Sequence, residues 1–110
     1  GVVNKCENRH MQLELIREEC NELVRAHLEA AEGLTPEAEV LKELADLVYV
    51  CFQYAENMEW DLLEAMDPVQ KSNMSKLGPD RKPIRREDGK ILKGPNYQPP
   101  NLEDLCHFIC

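Results

Sequence analysis

Apolar positions recur at three- and four-residue spacing early in the chain, where Leu13, Ile16, Cys20, Leu23 and His27 fall on one line of a helix. Neither proline nor glycine interrupts residues 7–32, so the pattern predicts a single long helix there. Gly33 should stop it, because glycine accepts the left-handed backbone that closes a helix. Thr35 then reads as an N-cap, Pro36 as the first helical residue, and Glu37 and Glu39 as first-turn acids that suit the helix dipole. The second helix is expected over residues 36–57. Leu41, Leu44, Val48, Cys51 and Ala55 form one apolar line on it, and Ala45, Leu47, Val50 and Tyr54 populate another side. Beyond Asp46 this helix is apolar almost all round, which calls for burial on more than one face.

A third helical stretch is expected over residues 60–75, with Asp61 near its start. Pro68 inside it predicts either a kink or a restart at Asp67. The periodic pattern stops at Gly78-Pro79. Asp88-Gly89 then sits between Ile84–Glu87 and Lys90–Lys93, the mark of a β-hairpin with a two-residue loop. Asn101 is placed to cap a short helix over residues 101–110. The expected fold is therefore all-α: an antiparallel helical hairpin or bundle with a short β-hairpin or extended tail, completed by oligomerisation. Its parts make one domain over residues 1–110, with a helical body at 7–77, a basic tail at 78–100 and the terminal helix.

Composition narrows the function classes. Only six of 110 residues are aromatic, so the core falls to Leu, Val, Ile, Ala and Met. No apolar run is long enough to span a bilayer, which argues against a membrane role. Five cysteines in an irregular set fit a reducing cytoplasm. Cys106-His107-Phe108-Ile109-Cys110 falls short of the four ligands of a zinc site. The formal net charge of −8 argues against nucleic acid as a partner. That charge is unevenly placed. Residues 1–70 carry 16 acidic and 5 basic side chains, whereas residues 71–93 carry 8 basic and 3 acidic.

The candidate chemistry lies in two short runs, Glu18-Glu19-Cys20-Asn21-Glu22 and Glu43-Leu44-Ala45-Asp46. Carboxylates three residues apart share a helix face, so Glu19 pairs with Glu22 and Glu43 with Asp46. A tight connection at residues 33–36 makes the two helices antiparallel and brings the pairs to similar depth. Four carboxylates brought together without basic partners repel one another, and a hard divalent cation relieves that repulsion. A di-iron carboxylate bundle needs Glu-x-x-His on two helices. His10, His27 and His107 do not supply it.

Glu19-x-x-Glu22, twenty intervening residues and Glu43-x-x-Asp46 resemble the metal-binding signature of the MazG-like, all-α NTP pyrophosphohydrolases. The run Lys71-Ser72-Asn73-Met74-Ser75-Lys76-Leu77, followed by Lys82-Pro83-Ile84 and Arg86–Tyr97, looks like a stretch found in one branch of small bacterial and phage members. The resemblance implies a cytoplasmic enzyme that hydrolyses a nucleoside triphosphate at the α-phosphorus, yielding a monophosphate and pyrophosphate. It implies Mg²⁺, with Mn²⁺ as a substitute, on Glu19, Glu22, Glu43 and Asp46, and no organic cofactor. Glu18 would touch a second metal or orient the attacking water beside Glu19. Lys71, Asn73 and Lys76 would contact phosphate oxygens. Asn8, His10, Tyr49, Tyr54 and Tyr97 are candidates for holding the base. A homodimer or homotetramer is the implied assembly. The competing reading is a non-catalytic nucleotide-binding or helical interaction module.

Overall fold

A computed structural model describes residues 5–106. It contains three α-helices, α1 (Lys5–Ala31), α2 (Glu37–Asn57) and α3 (Leu62–Met74). A two-stranded antiparallel sheet follows, β1 (Ile84–Arg85) and β2 (Ile91–Leu92), and then a single 3₁₀ turn, Glu103–Leu105. The chain forms two compact units, the first ending at Trp60 and the second beginning at Asp61.

In the first unit α1 and α2 pack as an antiparallel hairpin. Gly33 closes α1 with φ +76°, its amide donating to the Ala30 carbonyl (3.0 Å) while the Leu34 amide reaches back to Glu29 (2.9 Å). This paired closure is a Schellman motif, which satisfies carbonyls that the helix end leaves open. The same motif ends α2. Glu59 takes the left-handed position (φ 60°), with Glu59 N–H on Glu56 O (3.1 Å) and Trp60 N–H on Ala55 O (2.9 Å). The start of α2 departs from expectation. Pro36 stays extended outside the helix (ψ 154°), and the Thr35 hydroxyl caps nothing.

The packed line on α1 also differs from the apolar line read in the sequence. Asn8, Gln12, Leu15, Ile16, Glu19, Leu23, Ala26 and Ala30 are withdrawn from solvent, whereas Leu13, Cys20 and His27 are exposed. The true line keeps the three-four spacing but runs through polar residues. On α2 the withdrawn line is Val40, Glu43, Leu47, Val50 and Tyr54, while Leu41, Leu44 and Val48 face outward. At the open end Asn8 Nδ2 donates to Asn57 Oδ1 (2.7 Å), and Arg9 Nε donates to the Tyr54 hydroxyl (3.2 Å). Cys20, Cys51 and Cys106 are free thiols. Cys6 is disulfide-bonded, which the irregular cysteine spacing did not predict.

In the second unit Asp61 caps α3 by accepting the Glu64 amide (2.9 Å). The helix runs through Pro68 without restarting at Asp67. Its C-terminal end grips the tail. Ser72 Oγ donates to the Gln98 carbonyl (2.8 Å), and the Gln98 amide donates to Ser75 Oγ (2.9 Å). The β-hairpin register pairs Ile84 with Leu92 and Arg85 with Ile91. Its loop is three residues, Glu87-Asp88-Gly89, rather than the two expected. A two-residue type I′ turn needs φ > 0 at both central positions, and here only Gly89 (φ 89°) has it. Asp88 accounts for the difference, because Oδ1 accepts from the Lys90 amide (3.1 Å) and from Arg86 Nε (3.0 Å). Asn101 Oδ1 accepts the Glu103 amide (3.0 Å), as a cap would. The expected helix over residues 101–110 shortens to the 3₁₀ turn Glu103–Leu105, because Cys106 is already extended (ψ 94°), and residues 107–110, with His107 and Cys110, lie outside the described residues.

Two glycines separate conformational from steric cost. A Cβ on Gly33 would meet nothing within 4 Å, so Gly33→Ala costs only its left-handed backbone, about 1 kcal/mol. A Cβ on Gly94 would lie 2.6 Å from the carbonyl oxygens of both Lys76 and Leu77. Thermal unfolding should show a modest drop in Tm for Gly33→Ala. Gly94→Ala should lose distinctly more, in a transition that releases the C-terminal tail.

Candidate metal centre

The hairpin register sets Glu19 of α1 opposite Glu43 and Asp46 of α2. One oxygen from each of the three carboxylates lies within 4.8 Å of the others. Their burial is uneven, since the Asp46 side chain is 45% exposed. Glu19 belongs to the packed line of α1, and the Glu43 side chain is only 12% exposed. Glu19 Oε2 and Glu43 Oε2 are both buried without any hydrogen-bond partner. An unpaired buried carboxylate oxygen is costly. Two of them, on neighbouring acids of one cluster, suit a cation ligand.

The electrostatics point the same way. Burial, reinforced by the charges of Glu22, Asp46 and Glu43, pushes the Glu19 carboxyl above its ordinary 4.5. A side-chain contact with Glu22 adds to that shift, so Glu22 stands against Glu19 although it is itself exposed. Glu18 is exposed and outside the trio. The expectation that no basic residue attends the acids is not met. Lys42 Nζ lies 3.2 Å from Glu43 and 3.5 Å from Asp46, and these contacts raise its own pKa. At 60% side-chain exposure Lys42 sits on the rim and leaves the buried oxygens unpaired. The four-residue spacing of Lys42 and Asp46 was the signal for it in the sequence.

Beside the trio, toward the hairpin turn, Glu22, Arg25, Glu29, Thr35, Glu39 and Glu43 line a cleft of about 210 Å³. Lys71, Asn73 and Lys76 lie on the second unit. Lys71 Nζ pairs with Asp67 (3.0 Å), Asn73 is exposed, and the Lys76 carbonyl accepts the Gly94 amide. Of the residues considered for the base, His10 and Tyr54 line one pocket of the first unit, and Tyr97 belongs to the second. Asn8 and Tyr54 are engaged in hairpin contacts, His10 and Tyr49 are exposed, and Tyr97 lies beneath the Lys93 ammonium.

Residues 4–73 match the phosphoribosyl-ATP pyrophosphohydrolase family, a span of well over half the chain that contains the whole carboxylate cluster. The chain belongs to that family. It falls within the MazG-like all-α superfamily, and membership makes this chain a hydrolase of the pyrophosphohydrolase kind that acts on a nucleotide. No individual curated protein matches it significantly. Divalent metal is typical of phosphoribosyl-ATP pyrophosphohydrolases, and the trio of oxygen donors suits one. No helix among the described residues is long and apolar enough to cross a membrane.

The raised Glu19 pKa has a definite sign. The folded chain holds this proton more tightly than the unfolded chain, so Glu19 favours folding below the ordinary carboxylate pKa. That contribution is lost as pH rises through the raised value. Without metal, stability should therefore fall from acidic toward neutral pH, and Glu19→Gln should flatten the fall. Mg²⁺ should raise Tm at neutral pH, less so on acidification as protons compete, and not at all in Glu19→Gln. Melting curves at several pH values with Mg²⁺ and with EDTA check all three.

Proposed function

We propose that this phosphoribosyl-ATP pyrophosphohydrolase family member is a Mg²⁺-dependent nucleoside triphosphate pyrophosphohydrolase. It acts on the α–β linkage of an NTP or dNTP and serves cytoplasmic housecleaning of the nucleotide pool. The observation that carries this reading is the Glu19–Glu43–Asp46 trio with its two buried, unpartnered oxygens. An all-oxygen donor set without Cys or His favours Mg²⁺, with Mn²⁺ as a substitute. A bound ion of this kind offsets phosphate charge and lowers the pKa of water.

The chain's own residues divide the remaining work. Glu19, Glu22, Glu43 and Asp46 hold the ion, with Glu22 beside Glu19 at the exposed edge of the cluster. Glu18, exposed one residue away, orients the attacking water. Water adds to the α-phosphorus, the bond to the bridging oxygen breaks, and pyrophosphate leaves with the nucleoside monophosphate released separately. Lys71, Asn73 and Lys76 contact phosphate oxygens. The likeness of residues 71–97 to small bacterial and phage members favours ordinary or modified NTPs and dNTPs as substrates. The family is named for phosphoribosyl-ATP, itself an adenosine triphosphate derivative, so that compound is a further candidate substrate.

The exposed apolar lines bear on assembly. Leu13, Val24 and Leu28 on α1, with Leu41, Leu44, Val48 and Phe52 on α2, remain open to solvent in the isolated chain. Apolar exposure on this scale suits an interface. A second copy of the chain covering it gives a homodimer, or a homotetramer if two such faces are used.

Pyrophosphate release from a panel of NTPs, dNTPs, modified nucleotides and phosphoribosyl-ATP tests the reading. Monophosphate and pyrophosphate should appear with Mg²⁺ and disappear with EDTA. Glu43→Gln and Asp46→Asn should each lower turnover by roughly 100-fold or more. Silence across the panel, with nucleotide still raising Tm, would reduce the protein to a binding module.

A further inference from the structure

The cleft beside the carboxylate cluster holds a side chain that the metal centre does not use. All of its lining lies on the first unit, and it shares Glu22 and Glu43 with the cluster. Glu29 and Glu39 line it as well, and Arg25 is the one cation among its lining residues. Arg25 follows Glu22 by three residues, about 4.5 Å along α1 and on the same face.

Arg25 does not tie these acids together. Glu22 and Glu29 stand three and four residues from it, yet it makes no ion pair with either, nor with Glu39 or Glu43 of α2. Arg17 and Lys42, on the same two helices, each take such a partner, Glu14 and Asp46. The Arg25 side chain is exposed, and a guanidinium carries five donors in a fork that matches phosphate oxygens. Thr35 adds a hydroxyl without a hydrogen-bond partner. Ala26 is the one apolar residue of the lining, so the cleft suits phosphate rather than a base. Its 210 Å³ is about seven times the volume one water takes in the liquid, room for a phosphate group or two. Bare glutamates repel an anion there. A divalent ion on the cluster offsets the charge of Glu22 and Glu43, and Arg25 supplies the second positive charge beside it.

We infer that Arg25 is a substrate contact. Its guanidinium holds the terminal phosphates that leave as pyrophosphate, in a cleft that accepts them only when the divalent ion is bound. The inference rests on the nucleotide-hydrolase reading above, and its test separates the two. Calorimetric titration with inorganic pyrophosphate, in Mg²⁺ and again in EDTA, is read on the whole chain. Wild type should bind in Mg²⁺ and roughly tenfold more weakly or worse in EDTA. In Mg²⁺, Arg25→Gln should lose a similar factor. Arg25→Lys should fall between them, because an ammonium keeps the charge and loses the fork. Arg17→Gln removes the same charge from the same helix outside the cleft and should bind as wild type does. The Tm of Arg25→Gln without ligand should match wild type, since no ion pair is lost. With the best triphosphate, pyrophosphate inhibition should weaken in Arg25→Gln by the factor seen in calorimetry. Equal pyrophosphate affinity in wild type and Arg25→Gln overturns the contact. So does a wild type that binds no pyrophosphate in Mg²⁺, or a loss in Arg17→Gln as large as that in Arg25→Gln. Mg²⁺-dependent pyrophosphate binding that needs Arg25, in a wild type that hydrolyses no triphosphate, supports the contact and strikes only the hydrolase reading.

Discussion

The register of α1 against α2 is the constraint on which the rest depends. Gly33 and the short connection after it fold α2 back along α1. Two pairs of acids that are merely close in sequence thereby become neighbours in space. Glu19 and Glu43 occupy positions in the packed lines of their helices, where a leucine would ordinarily stabilise the pair. The hairpin gives up apolar burial at its centre and gains a cluster of like charges instead. Such an arrangement is unfavourable for a bare helical pair. A cation taking the oxygens that no hydrogen bond satisfies would make it favourable.

A thin apolar core follows from the same trade. Among the described residues Ala26, Val50, Ala55 and Met58 are its buried apolar members, while many larger side chains remain outside. With polar residues inside the hairpin, apolar residues were left for other faces of both helices. A second copy that covers those faces would restore the burial that the metal centre displaces. Stability, assembly and chemistry are in this sense one problem, solved by where the acids sit.

Much of this was legible in the sequence, for reasons that can be named. The helix ends at Gly33 and near Asn57, the acidic pairs and the Asp-Gly turn all rest on local chemistry, which acts over a few residues. What failed depended on tertiary context. The packed line of α1 was misread because Asn8, Gln12 and Glu19 lie on it, and no hydrophobicity pattern marks a polar residue as buried. Thr35 offered a cap that the extended Pro36 left unused. Asp88 chose the hairpin loop through side-chain bonds to Lys90 and Arg86, a decision invisible in the Asp-Gly dipeptide. Lys42, by contrast, pairs with Glu43 and Asp46 on its own helix, so its four-residue spacing to Asp46 was a local signal that the count of acids overshadowed. The acids themselves were found by spacing and resemblance. The buried oxygens of Glu19 and Glu43, which make the cluster chemically telling, came only from the structure.

Anomalous diffraction from crystals soaked in Mn²⁺ tests the central claim most directly, because it locates the ion without relying on turnover. The account predicts a peak at roughly 2 Å from oxygens of Glu19, Glu43 and Asp46, absent in Asp46→Asn. A peak elsewhere, or none with these three side chains ordered and unprotonated, would contradict it.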